Sequence, residues 1–289
     1  MNAKFGPAGN SNSFYADGKK HTFEAPAWIA ARGLDAYEYQ AGSGVRGGEA
    51  TFRKIGEAAK ESGILMSLHA PYYISLSGIE PEKRLKSLDY IHQSLRAADL
   101  LGADIIVIHT GSASKITREE AVELAKDTLD RTLLSLEDLT LENKNIKLGL
   151  ETMGKKNQLG TLDEVIELCR ADSRLVPVVD FGHLNARDVG GVFTAADDYK
   201  RIFDTIGCAL GDEVARNLHC HFSKIEYTNA GEKRHLTFED TVYGPEFEPL
   251  ADVIVNEALS PRIICESDGT MAEDAAAMKN AVAIRENRI

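Results

Sequence analysis

The stretch Asp104-Ile105-Ile106-Val107-Ile108-His109-Thr110-Gly111 is an apolar, β-branched run that ends in a histidine, and a helix signal follows it after a short loop. That signal is Thr117-Arg118-Glu119-Glu120, in which a threonine precedes a glutamate by three residues, as in the capping box that begins many helices. Apolar residues then recur at spacings of three and four, the period of an amphipathic helix. The stretch therefore predicts a strand, a loop and a helix, in that order.

The same order of strand, loop and helix recurs along the chain. Further capping boxes are predicted at Thr161-Leu162-Asp163-Glu164 and Thr270-Met271-Ala272-Glu273, and a long helix over Pro81–Leu101. The predicted strands lie near Lys4–Gly6, Ala36–Gln40, Ile64–His69, Asp104–His109, Lys147–Glu151, Val176–Asp180, Asn217–Phe222 and Arg262–Glu266. Eight such units in 289 residues are typical of an α/β protein with a single (β/α)8 TIM barrel domain over residues 1–289.

A doubly wound open sheet is the alternative fold, because periodicity does not show whether a parallel sheet closes on itself. No G-x-G-x-x-G sequence directly follows the first predicted strand, although residues 42–47 have this spacing after the second, and the chain has no Walker A sequence. These absences argue against the nucleotide-binding functions that are common among open sheets.

Composition limits the possible partners and compartments. The chain has 33 Lys and Arg against 45 Asp and Glu, a formal net charge of −12 that disfavours nonspecific binding to phosphate-rich surfaces but allows a local metal-lined cleft. We expect no membrane partner and a cytoplasmic location, because no apolar run could cross a bilayer and no secretory signal is evident. The cysteines lack CxxC spacing, which predicts buried, reduced thiols at Cys169, Cys208, Cys220 and Cys265.

Candidate metal ligands stand at or near the carboxyl ends of six predicted strands. These residues are His69, His109, Glu151, Asp180, His219 and Glu266. In a (β/α)8 barrel all these strand ends open onto one face, and their side chains line the central mouth. Imidazole and carboxylate groups bind zinc, manganese or iron, and three clustered carboxylates without a cation would be electrostatically costly. The pattern therefore predicts a site for more than one metal ion.

At these residues the chain resembles the endonuclease IV family of apurinic/apyrimidinic-site DNA repair enzymes, within the xylose isomerase-like barrel superfamily. The resemblance implies a barrel that carries three metal ions, usually zinc, and cuts the phosphodiester bond 5′ to an abasic deoxyribose. The ligands it implies are His69 and His109 for the first metal, Glu151 as a bridge to the second, Asp180, His219 and Glu266 for the second, and His183 and His235 for the third.

The chain departs from the family pattern at the third metal. The family has Asp-Arg-His before the loop histidine, whereas this chain has Lys233-Arg234-His235. A protonated ammonium cannot coordinate a cation, so two arrangements stay open. One is a binuclear enzyme in which Lys233 supplies part of the missing positive field. The other is a trinuclear enzyme in which Glu232 or Asp240 replaces the carboxylate.

Three loops are expected to contribute to function. Tyr72 and Tyr73 lie in a loop that resembles the family segment inserted into the minor groove beside the flipped-out nucleotide, where aromatic rings replace lost stacking. Gln40 and Arg46, in and after the second strand, are assigned to DNA by position. The segment 226–245 is predicted to be long and irregular, which is usual for a functional loop. The expected partner is double-stranded DNA with an abasic site, bound by a monomer with a strong dependence on salt.

Hydrolysis of a phosphodiester needs a nucleophile at neutral pH and neutralisation of the transition-state charge. Two or three Zn²⁺ ions, or Mn²⁺ in their place, would supply both. The predicted catalytic residues are Glu151, which bridges the ions, and Glu266, which assists removal of a proton.

A sugar isomerase or epimerase of the same superfamily is the alternative function. In such an enzyme a single metal would be held by Glu151, Asp180, His219 and Glu266. The additional histidines exceed what that site needs and favour the endonuclease. An inactive scaffold stabilised by metal is a third possibility.

Overall fold

Eight parallel strands form one sheet in residues 3–288, the part of the chain that the computed structural model describes. In chain order, and including two strands outside this sheet, the strands of the described residues are β1 (Lys4–Pro7), β2 (Ala36–Gln40), β3 (Leu65–His69), β4 (Ala103–His109), β5 (Lys147–Glu151), β6 (Leu175–Asp180), β7 (His219–Phe222), β8 (Ile225–Thr228), β9 (Gly231–His235) and β10 (Arg262–Cys265). The sheet has the order β1-β10-β7-β6-β5-β4-β3-β2, and β8 and β9 form a separate antiparallel hairpin.

The two ends of this order, β1 and β2, meet and close the barrel. Ala8, just after β1, pairs in parallel with Glu38. The Asp35 N–H donates to the Phe5 carbonyl at 2.8 Å, and the Gly9 N–H donates to the Glu38 carbonyl at 2.9 Å. This closure excludes the doubly wound open sheet and confirms the (β/α)8 barrel.

Gly6 allows β1 to approach β2 closely. A Cβ atom at this position would lie 1.8 Å from the Ala36 carbonyl oxygen, so a side chain must push the two strands apart. We expect Gly6→Ala to lower the free energy of unfolding by about 1–3 kcal/mol, the usual cost of overpacking, in a urea titration. Gly42→Ala is the control, because a Cβ there meets nothing within 4 Å. Equal stability of both variants would contradict a tight seam.

Helices connect the strands on the outside of the barrel. They are α1 (Asn12–Ala16), α2 (Ala25–Ala30), α3 (Glu49–Ser62), α4 (Pro81–Leu101), α5 (Arg118–Ser135), α6 (Leu162–Cys169), α7 (Phe181–Arg187), α8 (Ala196–Leu210), α9 (Asp212–Arg216), α10 (Glu248–Asn256) and α11 (Met271–Glu286). The capping boxes at Thr117 and Thr161 are confirmed. The box predicted at Thr270 is wrong, because the Thr270 hydroxyl accepts no backbone N–H; it donates to Asp274 Oδ2 at 2.9 Å.

The remaining differences from the sequence-based prediction are local. Strand bounds shift by at most two residues, most of all in β7, which begins at His219 rather than Asn217. The segment 226–245, predicted to be irregular, contains most of the β8–β9 hairpin. Cys208 is exposed, whereas the other three cysteines are buried as predicted. No described helix combines the length and apolarity needed to cross a membrane.

Candidate metal centre

Alternation along the strands directs the candidate ligands into the barrel. In β4, Ile106 and Ile108 belong to the main core, whereas Ile105 and Val107 form a separate small cluster inside the barrel. His109 is two residues beyond Val107, so it extends this inward row to the carboxyl end of the strand. The neighbouring strands β3, β5 and β6 also end in a candidate ligand, namely His69, Glu151 and Asp180. These side chains therefore meet at the mouth of the barrel.

The first group consists of His69, His109 and Glu151. The fully buried Glu151 has its Oε2 atom 3.4 Å from His69 Nε2 and 3.3 Å from His109 Nε2. His69 Nδ1 lies 2.9 Å from the Ala70 carbonyl oxygen. Because a carbonyl only accepts, this hydrogen bond keeps a proton on Nδ1 and leaves Nε2 as the atom available to a cation.

The second group consists of Glu151, Asp180, His221 and Glu266, and one ligand atom of each lies within 4.8 Å of the others. His221 Nδ1 is 2.9 Å from Glu151 Oε1 and 3.5 Å from Glu266 Oε1. Glu151 therefore offers Oε2 to the first group and Oε1 to the second. This is the geometry that a bridging carboxylate needs.

The structure brings His221, and not His219, into the second group. The two side chains lie on the same face of β7, because the residues are two apart. This face is the inner one, since His219 pairs with Val178 of the cluster inside the barrel. His221 pairs in register with Asp180 at the end of β6, whereas His219 pairs with Val178 one layer deeper. His219 Nε2 hydrogen bonds instead to Glu38 Oε2 at 3.0 Å. The sequence-based interpretation took the first histidine of His219-Cys220-His221, and only the register distinguishes the two.

The third group consists of His183, Glu232 and His235. His183 Nε2 lies 3.5 Å from Glu232 Oε2, and His183 Nδ1 lies 3.0 Å from the Thr152 carbonyl oxygen, which holds the ring in place. A Cβ on Gly154 would lie 2.6 Å from Glu232 Cβ, so a residue without a side chain is needed beside this group.

The β8–β9 hairpin carries Lys233 and one of the two candidate carboxylates, Glu232. The Lys233 ammonium pairs with Glu226 at 2.5 Å, and the residue lines the mouth beside Glu232 and His235. Glu232, the preceding residue on β9, carries the carboxylate that joins the two histidines. Asp240, the other candidate carboxylate, accepts the N–H groups of Val242 and Tyr243 and is not part of the group.

The residues present fit bound divalent cations. Glu151 Oε2 and Asp180 Oδ2 are buried carboxylate oxygens without a hydrogen-bond partner among residues 3–288. Unpaired buried charge is costly, and a cation between the groups would satisfy both oxygens. Imidazole nitrogens and carboxylate oxygens are together the donors that Zn²⁺ and Mn²⁺ accept in proteins.

Carboxylates dominate the electrostatics of the metal-free centre. Burial lowers the pKa of the His69 imidazole, but the carboxylates of Glu151, Glu38 and Glu266 together outweigh burial and raise that pKa to about 9. Burial also lowers the pKa of His183, but the carboxylates of Asp180, Glu232, Glu151 and Glu266 together raise that pKa to about 9. Burial, with Glu151 and Asp180 nearby, raises the pKa of Glu266.

These raised values predict that metal binding releases protons. Below about pH 9 His69 and His183 each hold a proton that a cation must displace, so the apparent affinity falls as the pH is lowered. We expect release of about two protons per chain at pH 7 from this pair. Calorimetry in two buffers of different ionisation enthalpy measures this release. Binding heats that are the same in both buffers would contradict it.

The residues predicted to contact DNA lie around the mouth. The side chains of Tyr72 and Tyr73 are 65% and 40% exposed, and Tyr73 packs edge-to-face on Tyr90. The Tyr72 N–H donates to the Gly42 carbonyl, which joins the loops after β3 and β2. The exposed Gln40 donates to Glu38 Oε1 at 3.2 Å, and Arg46 is also exposed.

Sequence reasoning missed one buried acidic residue, Glu38 on β2, which contacts both His219 and His221. The available signal was a glutamate between Tyr37 and Tyr39 inside a predicted strand, where a charge is unexpected. Its position below the mouth excluded it from a search of strand ends.

Residues 26–285 match the family described as xylose isomerase-like TIM barrel. An uncharacterized protein of Methanocaldococcus jannaschii is 31% identical over 245 residues, which cover 85% of this chain and 86% of that protein. A probable endonuclease 4 of Acholeplasma laidlawii is 30% identical over 223 residues, covering 73% of this chain and 72% of that protein.

Solved structures of two functional classes share the fold. Endonuclease IV from Thermus thermophilus superposes with a TM-score of 0.66 at 21% identity, covering 99% of this chain and all of the other. A 3-keto-D-glucoside 4-epimerase from E. coli gives 0.68 at 16% identity, covering 99% of each chain. At these identities the likeness shows the fold and does not separate the two activities.

Proposed function

The chain belongs to the xylose isomerase-like TIM barrel family, and we propose that it is a metal-dependent DNA repair endonuclease that cuts the phosphodiester bond 5′ to abasic sites. The observation that carries the proposal is the third group, His183, Glu232 and His235, beside the second. An epimerase with one metal needs only the second group. Three adjacent groups give the three-cation arrangement implied by the resemblance to endonuclease IV, and a relative named as a probable endonuclease 4 supports it.

The proposed ligands follow the three groups, with His221 in place of His219. They are His69, His109 and Glu151 for the first cation, Glu151, Asp180, His221 and Glu266 for the second, and His183, Glu232 and His235 for the third. Bound Zn²⁺, or Mn²⁺, would supply a nucleophile at neutral pH and neutralise the charge of the transition state.

Two carboxylates are proposed as the catalytic residues. Glu151 has one oxygen in each of the first two groups, so it would hold the cations at a set distance. Glu266 belongs to the second group and its side chain is 13% exposed, so it can reach the substrate at the mouth. Burial raises the pKa of Glu266 above its usual value, which makes its carboxylate a better proton acceptor.

The rim of the mouth has side chains that could bind the phosphates of a nucleic-acid backbone and others that could fill the space left by a missing base. Tyr72 and Tyr73 present aromatic surface that could fill the space of a missing base. Arg46, Lys155 and Lys156 are exposed on rim loops and would contact phosphates, despite the net charge of −12.

Sugar epimerisation is the second candidate function. The second group alone, with Glu151 and Glu266 as the proton-transferring carboxylates, would suffice for one metal and one small sugar. An epimerase would have no need of Glu232 and His235, nor of exposed tyrosines at the rim.

The experiment that separates the two activities uses the protein loaded with zinc or manganese. A duplex with one abasic-site analogue and an intact duplex are incubated with wild type and with His109→Ala, and the products are mapped on a denaturing gel. We expect incision 5′ to the lesion only, absent from His109→Ala. No incision by folded, metal-loaded protein, together with turnover of a ketose in a parallel assay, would contradict the proposal and favour the epimerase.

A further inference from the structure

A buried carboxylate lies inside the barrel below the metal centre. Glu38 is completely buried. Its Oε2 atom accepts hydrogen bonds from Ser67 Oγ at 2.9 Å and from His219 Nε2 at 3.0 Å. Its Oε1 atom accepts one from Gln40 Nε2 at 3.2 Å and lies 3.1 Å from His221 Nε2. The carboxylate therefore faces an imidazole on each side.

The His221 ring lies between carboxylates on two sides. Nε2 faces Glu38, whereas Nδ1 faces Glu151 at 2.9 Å and Glu266 at 3.5 Å. A neutral imidazole carries its proton on one nitrogen and a lone pair on the other, and the partner of the protonated nitrogen decides which is which. In the metal-free structure Nδ1 hydrogen bonds to Glu151, whereas Nε2 has no hydrogen-bond partner among the described residues. A cation bound at Nδ1 would leave the ring proton on Nε2, which faces the acceptor Glu38 Oε1 at 3.1 Å.

We propose that Glu38 is a positioning residue, which sets the tautomer and ring orientation of His221 so that Nδ1 is presented to the cation shared with Asp180 and Glu266. Such carboxylate–histidine–metal arrangements tune metal affinity through the histidine. The inference rests on the metal-binding part of the proposed function and not on the substrate, because an epimerase would use His221 in the same way.

His219 is the second partner of Glu38. It is 6% exposed and borders a cavity of about 430 Å³ at the amino-terminal face of the barrel, together with Lys4 and Arg262. When His221 is neutral and bound to a cation, His219 and Ser67 still donate to Glu38. The buried carboxylate would therefore keep two hydrogen-bond donors, Ser67 and His219, whatever the protonation of His221.

A cation held directly by Glu38, His219 and His221 is the competing explanation, since their ligand atoms lie within 4.8 Å of one another. The hydrogen bond from His219 Nε2 to Glu38 favours a shared proton over a metal. The two explanations differ in the number of metal ions per chain, so they can be separated by measurement.

The test compares wild type with Glu38→Ala, Glu38→Gln and the control Ser67→Ala, which removes another hydrogen bond to the same carboxylate. Zinc affinity is measured by competition with a chelator, zinc per chain by elemental analysis at saturation, and ligand geometry by the visible spectrum of the Co²⁺-loaded protein. We expect Glu38→Ala to lose about 10–100-fold in affinity for one cation, as for other histidine-orienting residues, with an altered Co²⁺ spectrum and an unchanged zinc count. Glu38→Gln should retain part of the affinity, because its amide oxygen still accepts a hydrogen bond, and Ser67→Ala should resemble wild type.

Two results would overturn the inference. Wild-type affinity and spectrum in folded Glu38→Ala would show that Glu38 does not position His221. One zinc fewer per chain at saturation, with the others bound as before, would show that Glu38 is itself a ligand. If Glu38→Ala does not fold, Glu38→Gln decides between these results. Incision activity is scored separately, so metal binding that depends on Glu38 in a protein without incision would count against the nuclease only.

Discussion

Glu151→Gln is expected to abolish incision and to weaken the binding of two cations at once. Glu151 is completely buried, and its two oxygens lie in different ligand groups. Removing one partner from a buried set of charges costs about 3–5 kcal/mol, which corresponds to roughly 10²–10⁴-fold in affinity. Zinc-binding isotherms and incision rates measure both effects on the same preparations.

The control for this substitution is Glu164→Gln, another glutamate with limited exposure that pairs with Arg118 and belongs to none of the three groups. It should bind zinc and cut DNA as wild type does, even if it is less stable. Weakening of only one cation by Glu151→Gln, with the other bound at full affinity, would contradict the bridging role.

Glu232→Gln is expected to have the second largest effect, through the third cation alone. A neutral amide is a weaker ligand than a carboxylate, so the site of His183 and His235 should lose its ion while the first two stay filled. A catalytic metal contributes several kcal/mol to the transition state, so incision should fall by about 100-fold or more. Zinc per chain and incision rate are the measurements.

Lys233→Gln is the matched control on the neighbouring residue. The Lys233 ammonium is already paired with Glu226 and offers no ligand to a cation, so its loss should leave zinc content and incision near wild type. The opposite pattern, with Lys233→Gln inactive and Glu232→Gln active, would instead favour a binuclear enzyme in which the ammonium replaces an ion.

The order of strands and helices was predictable from the sequence because it depends on local patterns of residues. Apolar runs and capping boxes, such as the one at Thr117, depend on neighbouring residues only. Closure of the barrel was not predictable, because it depends on the approach of Gly6 to Ala36, which are distant in sequence. Thr270 shows the limit of a local motif, since its backbone is not extended as an N-cap requires and its hydroxyl accepts no backbone N–H.

The candidate site was predictable to the extent that parallel strands end on the same face. His69, His109 and Glu151 were found in this way, and they lie together. The period of two along a strand makes His219 and His221 equivalent, and only pairing with Asp180 sets their depth. Glu232 remained one of two options because the register of the β8–β9 hairpin, which pairs Glu232 with Tyr227, has no signature in the sequence.

The most direct test of a metal-dependent nuclease is incision measured as the metal is returned. The protein is stripped with a chelator and titrated with zinc, and each sample is divided between elemental analysis and incision of the abasic duplex. We predict no incision by the stripped protein, and incision 5′ to the lesion that rises with occupancy of the ligand groups. Full incision by the stripped protein, or none when the groups are saturated with zinc, would contradict it.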